Sequence, residues 1–451
     1  MKIGLCGNVA NNYYNLAKSL RKEGCEAYLI LDTKDDDFAM SHPIWEDVEC
    51  VIQTDLVMKG HFFKTLLEKM KKEFSWFPPS WVKEKKTKTG NKFLLLISFL
   101  FNLPRILITE RSILIKIYET FKKNLILFPY GLLFFYLHWQ TIKEMRKYDF
   151  LIVSNLAPIY AYLVNKPFIF FPCGADVLII SKPGKAKSDK TRAALQKKAL
   201  SSAKSSFTFD PHYLEVLEGL GFRGYFFLLP IIDLNKCRPQ NVKLADLLDN
   251  KNERKFIEVA KDRFIFFVPS RQDFYWKGTD KLLRAYARLV REKEGVVFMV
   301  LAGWGEDIEK TKELIKELKI EKDLYLLPYT LSKPRLIKFY NTADAICDKF
   351  VTKPSYGFGT STLEAMACAK PVITFIDIEK FRLFAPNFSP PLIFNILTED
   401  EIFNQMKKLV ENKKLCREIG QQSREWVIEN YGEGSIKKFI KILEEIYQKS
   451  S

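Results

Sequence analysis

The first 31 residues alternate short apolar runs with a stretch of helical periodicity. Residues 2–6 form an apolar run, Leu16 and Leu20 recur at helical spacing, and residues 27–31 form a second apolar run. This order is typical of a strand–helix–strand unit. The same pattern returns between residues 150 and 171. Such alternation predicts a parallel sheet that is covered by helices on both faces.

A second block with the same alternation begins near residue 263. Its predicted strands are residues 264–268, 296–301, 324–327, 345–347 and 371–375, and its predicted helices are residues 279–293, 307–318, 333–341 and 361–369. This series predicts a second doubly wound α/β domain.

The two blocks suggest the domain limits. The segment 233–254 is polar and lacks strand periodicity, so we interpret it as the link. We expect an N-terminal domain over residues 1–240 and a C-terminal domain over residues 255–430. The segment 431–451 is expected to form a helix that crosses back to the first domain.

The N-terminal domain has a basic and apolar insertion at about residues 60–149. Its long apolar runs, within residues 93–139, are broken by Pro104 and Pro129, and cations accompany them at Lys92, Arg105, Arg111, Lys116, Lys122 and Lys123. Neither run reaches the roughly 20 apolar residues that span a bilayer. Two interpretations stay open: helices that lie in the plane of a membrane interface, or helices buried in the core of the domain.

The charge of the chain favours anionic partners. Its 71 Lys and Arg outnumber its 54 Asp and Glu, for a net charge of +17, and residues 60–149 hold 17 basic and 7 acidic residues. Basic residues among aliphatic runs indicate an anionic membrane surface. Nucleic acid is not expected, because these cations do not alternate with exposed aromatic residues and polar loops.

The N-terminus and the cysteines predict a cytoplasmic protein, with peripheral attachment to the inner face of the membrane as a further expectation. The first apolar run is too short for a signal peptide. The eight cysteines have no short pair and no histidine at zinc spacing, so reduced thiols are expected.

The segment 353–373 contains the most informative motif. A turn that carries Gly357 and Gly359 leads into a helix, whose first free amides belong to Thr360 and Ser361. Free amides and the helix dipole form a site for anions, and glycines let a diphosphate approach the main chain. Glu364 has an alternative interpretation, because Ser361-x-x-Glu364 also matches a capping box.

Further candidates follow predicted strands. Arg271 and Lys277 lie just after residues 264–268, where two cations would hold a diphosphate; the alternative is a solvated surface pair. Gly303 lets the loop after the next strand pass close to a ligand. Gly7 ends the first strand, and Asp176 either caps a helix or contacts the acceptor.

In this order, these motifs resemble the retaining glycosyltransferases of family four, the glycosyl transferases group 1, whose two Rossmann-like domains form the GT-B fold. The resemblance lies mainly in the C-terminal block. It comprises the 264–268 strand, Arg271 and Lys277, and three sequences: Leu-Ala-Gly-Trp-Gly at 301–305, Leu-Leu-Pro-Tyr-Thr at 326–330 and Gly-Phe-Gly-Thr-Ser-Thr-Leu-Glu-Ala-Met-Ala at 357–367. The resemblance implies an α/β fold of two facing doubly wound domains with a cleft between them.

The resemblance also implies roles for the candidates. Arg271 and Lys277 would hold the donor diphosphate with the amides of Gly7, Thr360 and Ser361, and Glu364 would bond the ribose. Gly357, Phe358 and Gly359 would line the donor sugar, and Tyr329, within residues 327–330, would border the base.

Two positions depart from the family pattern. Tyr356 stands where the family usually has a glutamate that contacts the donor sugar, and Cys173-Gly174-Ala175-Asp176 replaces a frequent His-Gly-x-Asp.

The expected function is hexosyl transfer with retention, from a nucleotide-diphosphate sugar to a glycan or lipid-linked acceptor, in the synthesis of cell-surface polysaccharide or glycoconjugate. No metal and no cofactor are expected, because cations and amides stabilise the leaving group. The Asp35-Asp36-Asp37 run is interpreted as a solvated loop. The alternatives are a catalytically impaired sugar-nucleotide or glycan-binding relative and a GT-B nucleotide-sugar epimerase.

Overall fold

The computed structural model shows two α/β domains, each built on its own parallel sheet. It describes residues 1–32, 41–53, 63–85, 92–172, 176–229, 231–248, 251–352, 357 and 359–450. The fold class predicted from the sequence is confirmed.

Seven parallel strands form the N-terminal sheet, in the order β4–β2–β1–β5–β6–β7–β8. These strands are β1 (Lys2–Cys6), β2 (Glu26–Asp32), β4 (Val82–Lys85), β5 (Phe150–Val153), β6 (Phe168–Phe170), β7 (Ser205–Thr208) and β8 (Tyr225–Phe226). Strand β1 lies between β2 and β5, with Ile3 in register with Ala27 and Phe150. Every residue of β5 is buried, as expected for a strand with helices on both faces.

Helices separate the strands of this domain, and four of them lie in succession between β4 and β5, within the predicted insertion. They are α1 (Asn12–Lys22), α2 (Ile44–Asp47), α3 (Phe63–Glu73), α4 (Lys92–Thr109), α5 (Arg111–Phe121), α6 (Phe128–Leu137), α7 (Trp139–Met145), α8 (Ala157–Val164), α9 (Asp176–Ser181), α10 (Lys187–Leu200) and α11 (Pro211–Gly219), with a 3-10 turn at Leu125–Leu127.

Six parallel strands form the C-terminal sheet, in the order β11–β10–β9–β13–β14–β15. They are β9 (Phe264–Val268), β10 (Val297–Leu301), β11 (Leu324–Leu326), β13 (Ala345–Cys347), β14 (Val372–Thr374) and β15 (Phe394–Asn395). The helices are α12 (Lys251–Ala260), α13 (Thr279–Glu292), α14 (Ile308–Leu318), α15 (Lys333–Thr342), α16 (Thr360–Ala367), α17 (Ile378–Phe384), α18 (Glu399–Glu411) and α19 (Lys413–Tyr431), with a 3-10 turn at Leu244–Asp246.

A strand pairing and a packed helix are among the contacts that join the domains. Strand β3 (Val51–Gln53) of the first domain pairs antiparallel with β12 (Tyr329–Leu331) of the second. The last helix, α20 (Glu433–Gln448), packs Ile436, Phe439 and Leu443 against the N-terminal sheet. The chain therefore crosses back to its first domain at its end.

The helices of the insertion have one buried and one exposed face. Ile106, Ile113 and Ile117 lie in the domain core, whereas Ile108 and Ile115 are exposed. The buried face fits the core interpretation, and the membrane-interface interpretation stays a prediction. No single helix in the described ranges is long and apolar enough to cross a membrane, although Leu125–Leu137 and Trp139–Met145, bent by 69°, pass that test as a pair.

Candidate functional site

A cavity of about 420 Å³ lies between the two domains. On the C-terminal side it is bounded by residues that follow β9, β10 and β13, the carboxyl edge at which open α/β sheets bind ligands. The N-terminal domain contributes Ala10, Asn12, Trp45, Glu46, Phe209, Asp210 and Tyr213. A ligand in this cavity is therefore held by both domains.

The structure brings most of the predicted site residues to this cavity. Its lining includes Arg271, Lys277, Gly357, Gly359, Thr360, Ser361 and Glu364. Gly7, Gly303, Tyr329 and Asp176 are not part of the lining. Tyr356 and Phe358 lie outside the described residues, as do Cys173, Gly174 and the Asp35–Asp37 run.

A buried carboxylate, Asp348, organises the charged end of the cavity. Its oxygens accept hydrogen bonds from Lys277 Nζ at 2.7 Å, from Thr362 Oγ1 at 2.7 Å, and from the hydroxyls of Ser270 and Ser361. Burial would raise the pKa of Asp348, but Lys277 and the hydroxyls outweigh it and lower that pKa to about 2. Asp348 thus fixes Lys277 beside the start of α16.

The N-terminus of α16 points its free amides at the cavity. Gly359 is the N-cap residue, and Thr360 and Ser361 are the first two residues of the helix. The capping-box alternative for Glu364 is wrong, because the helix begins two residues earlier than that motif requires. Glu364 is instead the fifth helical residue, and its carboxylate contacts Lys333 Nζ and Tyr340 OH. The amides therefore remain available to an anion.

Arg271 is held at the same edge by neighbours from its own loop. Its Nε lies 3.3 Å from Asp273 Oδ2, and its guanidinium lies 5.7 Å from the centre of the Trp276 ring. Its side chain remains 30% exposed, so the fork of N–H donors retains access to the cavity.

A further cation, Lys349, was not predicted from the sequence. Its side chain is buried in the cavity wall, and Nζ donates to Gly357 O at 2.7 Å. Burial lowers the pKa of Lys349 to about 8; Lys277 adds to the shift, and Asp210 and Asp348 offset part of it. Lys349 therefore carries a charge that an anionic ligand would stabilise.

The other end of the cavity holds an acidic and basic cluster from both domains. Lys333 contacts Glu364, and Glu46 of the N-terminal domain faces this pair. Burial, with Glu364 adding to it, raises the pKa of Glu46 to about 7, although Lys333 opposes the shift. The net effect on Lys333 is a raised pKa, because the two glutamates outweigh its burial.

The constraints on Gly7 and Gly303 come from the chain itself. Gly7 has φ of +99°, and a Cβ there would lie 2.3 Å from Ser154 O. A Cβ at Gly303 would lie only 1.4 Å from Leu327 O. Both positions require glycine for backbone packing at strand ends, before any ligand is considered.

Tyr329 and Asp176 make contacts away from the cavity. The hydroxyl of Tyr329 donates to Glu253 Oε1 at 2.8 Å, whereas its neighbours Thr330 and Leu331 line the cavity. Asp176 is buried at the start of α9 and accepts a hydrogen bond from Asn155 N–H at 2.9 Å. In this structure Asp176 thus joins the end of β5 to α9.

Sequence reasoning missed Asp348, Lys349 and Glu46. One signal was present for the first two, because both follow the predicted strand 345–347 at the ligand-binding edge. Glu46 had no such signal, since α2 lies far from the C-terminal motifs in sequence. Within the described residues, no group of three His, Cys, Asp or Glu side chains is placed to bind a metal.

Comparisons with known proteins agree with this geometry. Residues 249–426 match the family described as glycosyl transferases group 1. An uncharacterized glycosyltransferase of Methanocaldococcus jannaschii is 23% identical over 199 residues, which cover 44% of this chain and 48% of the relative. The match therefore spans about half the length of that curated relative.

Solved structures share the whole architecture. Anabaena HepE in complex with UDP-glucose superposes with a TM-score of 0.60 at 16% identity, covering 99% of this chain and 100% of HepE. Sucrose-phosphate synthase from Thermosynechococcus elongatus superposes with a TM-score of 0.58 at 14% identity, covering 100% of both chains. The chain thus has the GT-B fold, and its match to the glycosyl transferases group 1 family lies in the C-terminal domain.

Proposed function

We propose that this protein is a retaining hexosyltransferase that moves a sugar from a nucleotide-diphosphate sugar to an acceptor hydroxyl. The observation that carries the proposal is the grouping of Arg271, Lys277, Lys349 and the α16 amides around one interdomain cavity. UDP is the proposed nucleotide, since HepE of the same fold binds UDP-glucose. The proposed acceptor is a glycan or a lipid-linked glycan of cell-surface polysaccharide or glycoconjugate synthesis.

The donor would lie with its diphosphate between the cations and the start of α16. Arg271 offers a fork of N–H donors, Lys277 a point charge, and Thr360 and Ser361 their amides. Glu364 would accept a hydrogen bond from the ribose beside Lys333. These groups supply the positive potential that a metal ion supplies in other transferases.

In the chemical step, the bond between the sugar carbon and the phosphate oxygen breaks with both electrons leaving on the diphosphate. The acceptor oxygen forms the new bond on the same face, and its proton passes to an oxygen of the leaving diphosphate. Arg271 and Lys277 stabilise the charge that develops on that group.

The substitution Arg271→Ala tests this assignment. Removing one charge-stabilising donor is expected to lower turnover by about 10²-fold or more while leaving the fold intact. Arg382→Ala, which removes an exposed arginine of α17, is the matched control. Release of UDP from a panel of UDP-sugars, with and without acceptor, is the measurement. Full activity of the Arg271 variant would refute the proposal.

Two alternative functions predict other outcomes of that assay. A catalytically impaired relative would bind UDP-sugars and raise its melting temperature without any turnover. An epimerase would convert the donor to another sugar nucleotide with no acceptor present. Transfer to an acceptor that persists in EDTA would support the metal-independent mechanism.

We also propose that the protein docks on the inner, anionic surface of the cell membrane. Large apolar side chains are exposed on α4, α5 and the turn that follows. This apolar surface consists of Phe101, Leu107, Ile108, Ile115, Tyr118, Leu125 and Ile126. Along α5 and at its C-cap, Arg111, Ile115, Tyr118 and Lys122 are exposed, so cations lie on both sides of an apolar centre, and Lys122 pairs with Glu119. This arrangement suits an interface of acyl chains and anionic headgroups.

Flotation with vesicles tests the membrane proposal. Ile115→Glu combined with Ile126→Glu is expected to abolish binding to vesicles that contain phosphatidylglycerol. Leu383→Glu changes a side chain of α17 that is 71% exposed, and it is expected to bind as the parent does. Equal vesicle binding by the parent and both variants would refute this surface as a membrane site. A double variant that still binds vesicles but no longer forms a dimer would refute it as well.

A further inference from the structure

A second cavity, of about 370 Å³, lies in the N-terminal domain apart from the interdomain cleft. Its apolar wall is formed by Leu133, Phe134 and Leu137 of α6 together with Leu156. The opposite wall is the polar face of α10. An elongated apolar group would find a hydrophobic surface on one side only, with polar partners across from it.

The polar wall carries positive charge. Ser188, Thr191 and Arg192 lie on one face of α10 and line the cavity. Lys187 of the same helix places its Nζ 6.0 Å from the centre of the Tyr130 ring, and Tyr130 also lines the cavity. Arg192 is paired with Asp189, but its side chain is 43% exposed. An anionic group is therefore the complementary ligand for this rim.

The floor of the cavity is rigid. His138 is 3% exposed, and its Nδ1 lies 3.0 Å from Asp32 Oδ2 and 2.8 Å from Tyr160 OH. Asp32 also accepts a hydrogen bond from Thr141 Oγ1 at 2.6 Å. Because Asp32 ends β2, this network holds the cavity at the carboxyl edge of the N-terminal sheet.

Helix α6, which lines the cavity, also contacts the exposed apolar surface described above. Tyr130 is 38% exposed and lies in α6, directly after the exposed Leu125 and Ile126. Tyr118 of the apolar surface packs edge-on against Phe128 of α6, with ring centres 6.2 Å apart. An apolar chain that leaves a membrane at this surface would meet α6 first.

Contacts through α9 lead from this cavity toward the interdomain cleft. Leu156 lies next to Asn155, which donates to Asp176 at the start of α9. Val177 and Ile180 of α9 pack in one cluster with Tyr213, and Tyr213 lines the interdomain cavity. Helix α9 thus contacts Asn155, beside the second cavity, and Tyr213, in the lining of the interdomain cavity.

We infer that the second cavity binds the head of a phosphorylated lipid acceptor, with its first apolar segment along α6 and its phosphate at Arg192 and Lys187. This inference rests on the proposed transfer function, because it names the class of acceptor that would reach the cleft. It also assigns Asp176 a positioning role between the acceptor and donor cavities.

Calorimetric titration of the full-length protein without nucleotide sugar tests the inference. The probes are decyl phosphate below its critical micelle concentration, inorganic phosphate and decanol. Decyl phosphate is expected to saturate, with an affinity at least about tenfold higher than that of either fragment probe. Leu133→Trp, which fills the cavity, and Arg192→Gln, which removes the cation, are each expected to weaken it about tenfold.

Arg382→Gln is the matched control, since Arg382 also forms an ion pair with an acidic residue three positions earlier in its helix. Its affinity for decyl phosphate should equal that of the parent. Equal affinity in all variants overturns the inference, as does binding of inorganic phosphate or decanol as tight as that of decyl phosphate. UDP-induced stabilisation, measured on the same variants, reports failure of the donor site separately.

Discussion

The side chains at the carboxyl edges of the two sheets differ in charge. At the carboxyl edge of the C-terminal sheet, Arg271, Lys277, Asp348 and Lys349 form a charged group around an interdomain cavity. These charges compensate one another only in part, because Asp348 is shared among Lys277 and three hydroxyls. The C-terminal edge therefore keeps positive potential for a ligand.

The N-terminal edge is built mainly from neutral amides near β1. Asn8, Asn11, Asn12 and Asn15 are all buried there. Asn8 Nδ2 donates to Asn11 Oδ1 at 2.9 Å and to Ser41 O at 2.6 Å, so these amides hold the loops of their own domain. The difference shows that the C-terminal side of the cleft is arranged for a charged ligand, whereas the amides near β1 shape the opposing wall of the cleft.

The largest expected effect tests how tightly the strand ends of the C-terminal half are packed. Gly303→Ala places a Cβ 1.4 Å from Leu327 O, so backbone must move. We expect a loss of about 4 kcal/mol or more in the free energy of unfolding, measured by urea titration.

Gly219→Ala in the N-terminal half is the matched control, because a Cβ there meets nothing within 4 Å. Its expected change is below about 1 kcal/mol. Comparable stability of the two variants would show that the C-terminal strand ends are no more constrained than the N-terminal surface.

A smaller effect tests Glu46, a carboxylate of the N-terminal half that is buried against the C-terminal charges. Its pKa is raised to about 7 in the folded state, chiefly by burial, so its stabilising contribution is present below its ordinary pKa and is lost as pH rises to about 7. The pKa difference corresponds to about 3 kcal/mol at most.

Glu46→Gln should therefore flatten the fall in unfolding free energy between about pH 4.5 and pH 7. Urea titrations across this range measure it. Glu26→Gln, at an exposed position, should keep the slope of the parent. An unchanged slope in the Glu46 variant would mean that Glu46 does not titrate with a raised pKa in the folded protein.

The smallest expected effect concerns Lys349 and the charge of the donor cavity. Because burial lowers its pKa to about 8, Lys349 loses its ammonium charge as pH rises above that value. The affinity for UDP should fall about tenfold between pH 7 and pH 9.

Calorimetric titration of UDP measures this fall. Lys349→Met should bind UDP weakly with a flat profile, and Lys322→Met, at an exposed position, should follow the parent. If the UDP affinity of Lys349→Met falls with pH as steeply as that of the parent, the pH dependence belongs to another group.

Much of the fold was predictable because it depends on local periodicity. The bounds of β1, β5, β9 and β13 agree with the predicted strands. Apolar runs, glycine turns and amphipathic stretches specify strands and helices through neighbours a few residues apart. Arg271, Lys277 and the turn before Glu364 were predictable for the same reason, since each follows a strand at the edge where ligands bind.

The tertiary structure decided what depends on residues distant in sequence. Strand β3 pairs with β12 across the two domains, and Glu46 reaches Lys333 through this contact. The sequence by itself determined the alternating α/β order and the donor-edge motif. Which face of α4 and α5 is exposed, which amides remain free at α16, and which carboxylate carries a raised pKa were decided by packing, because burial and charge pairing are properties of the folded environment.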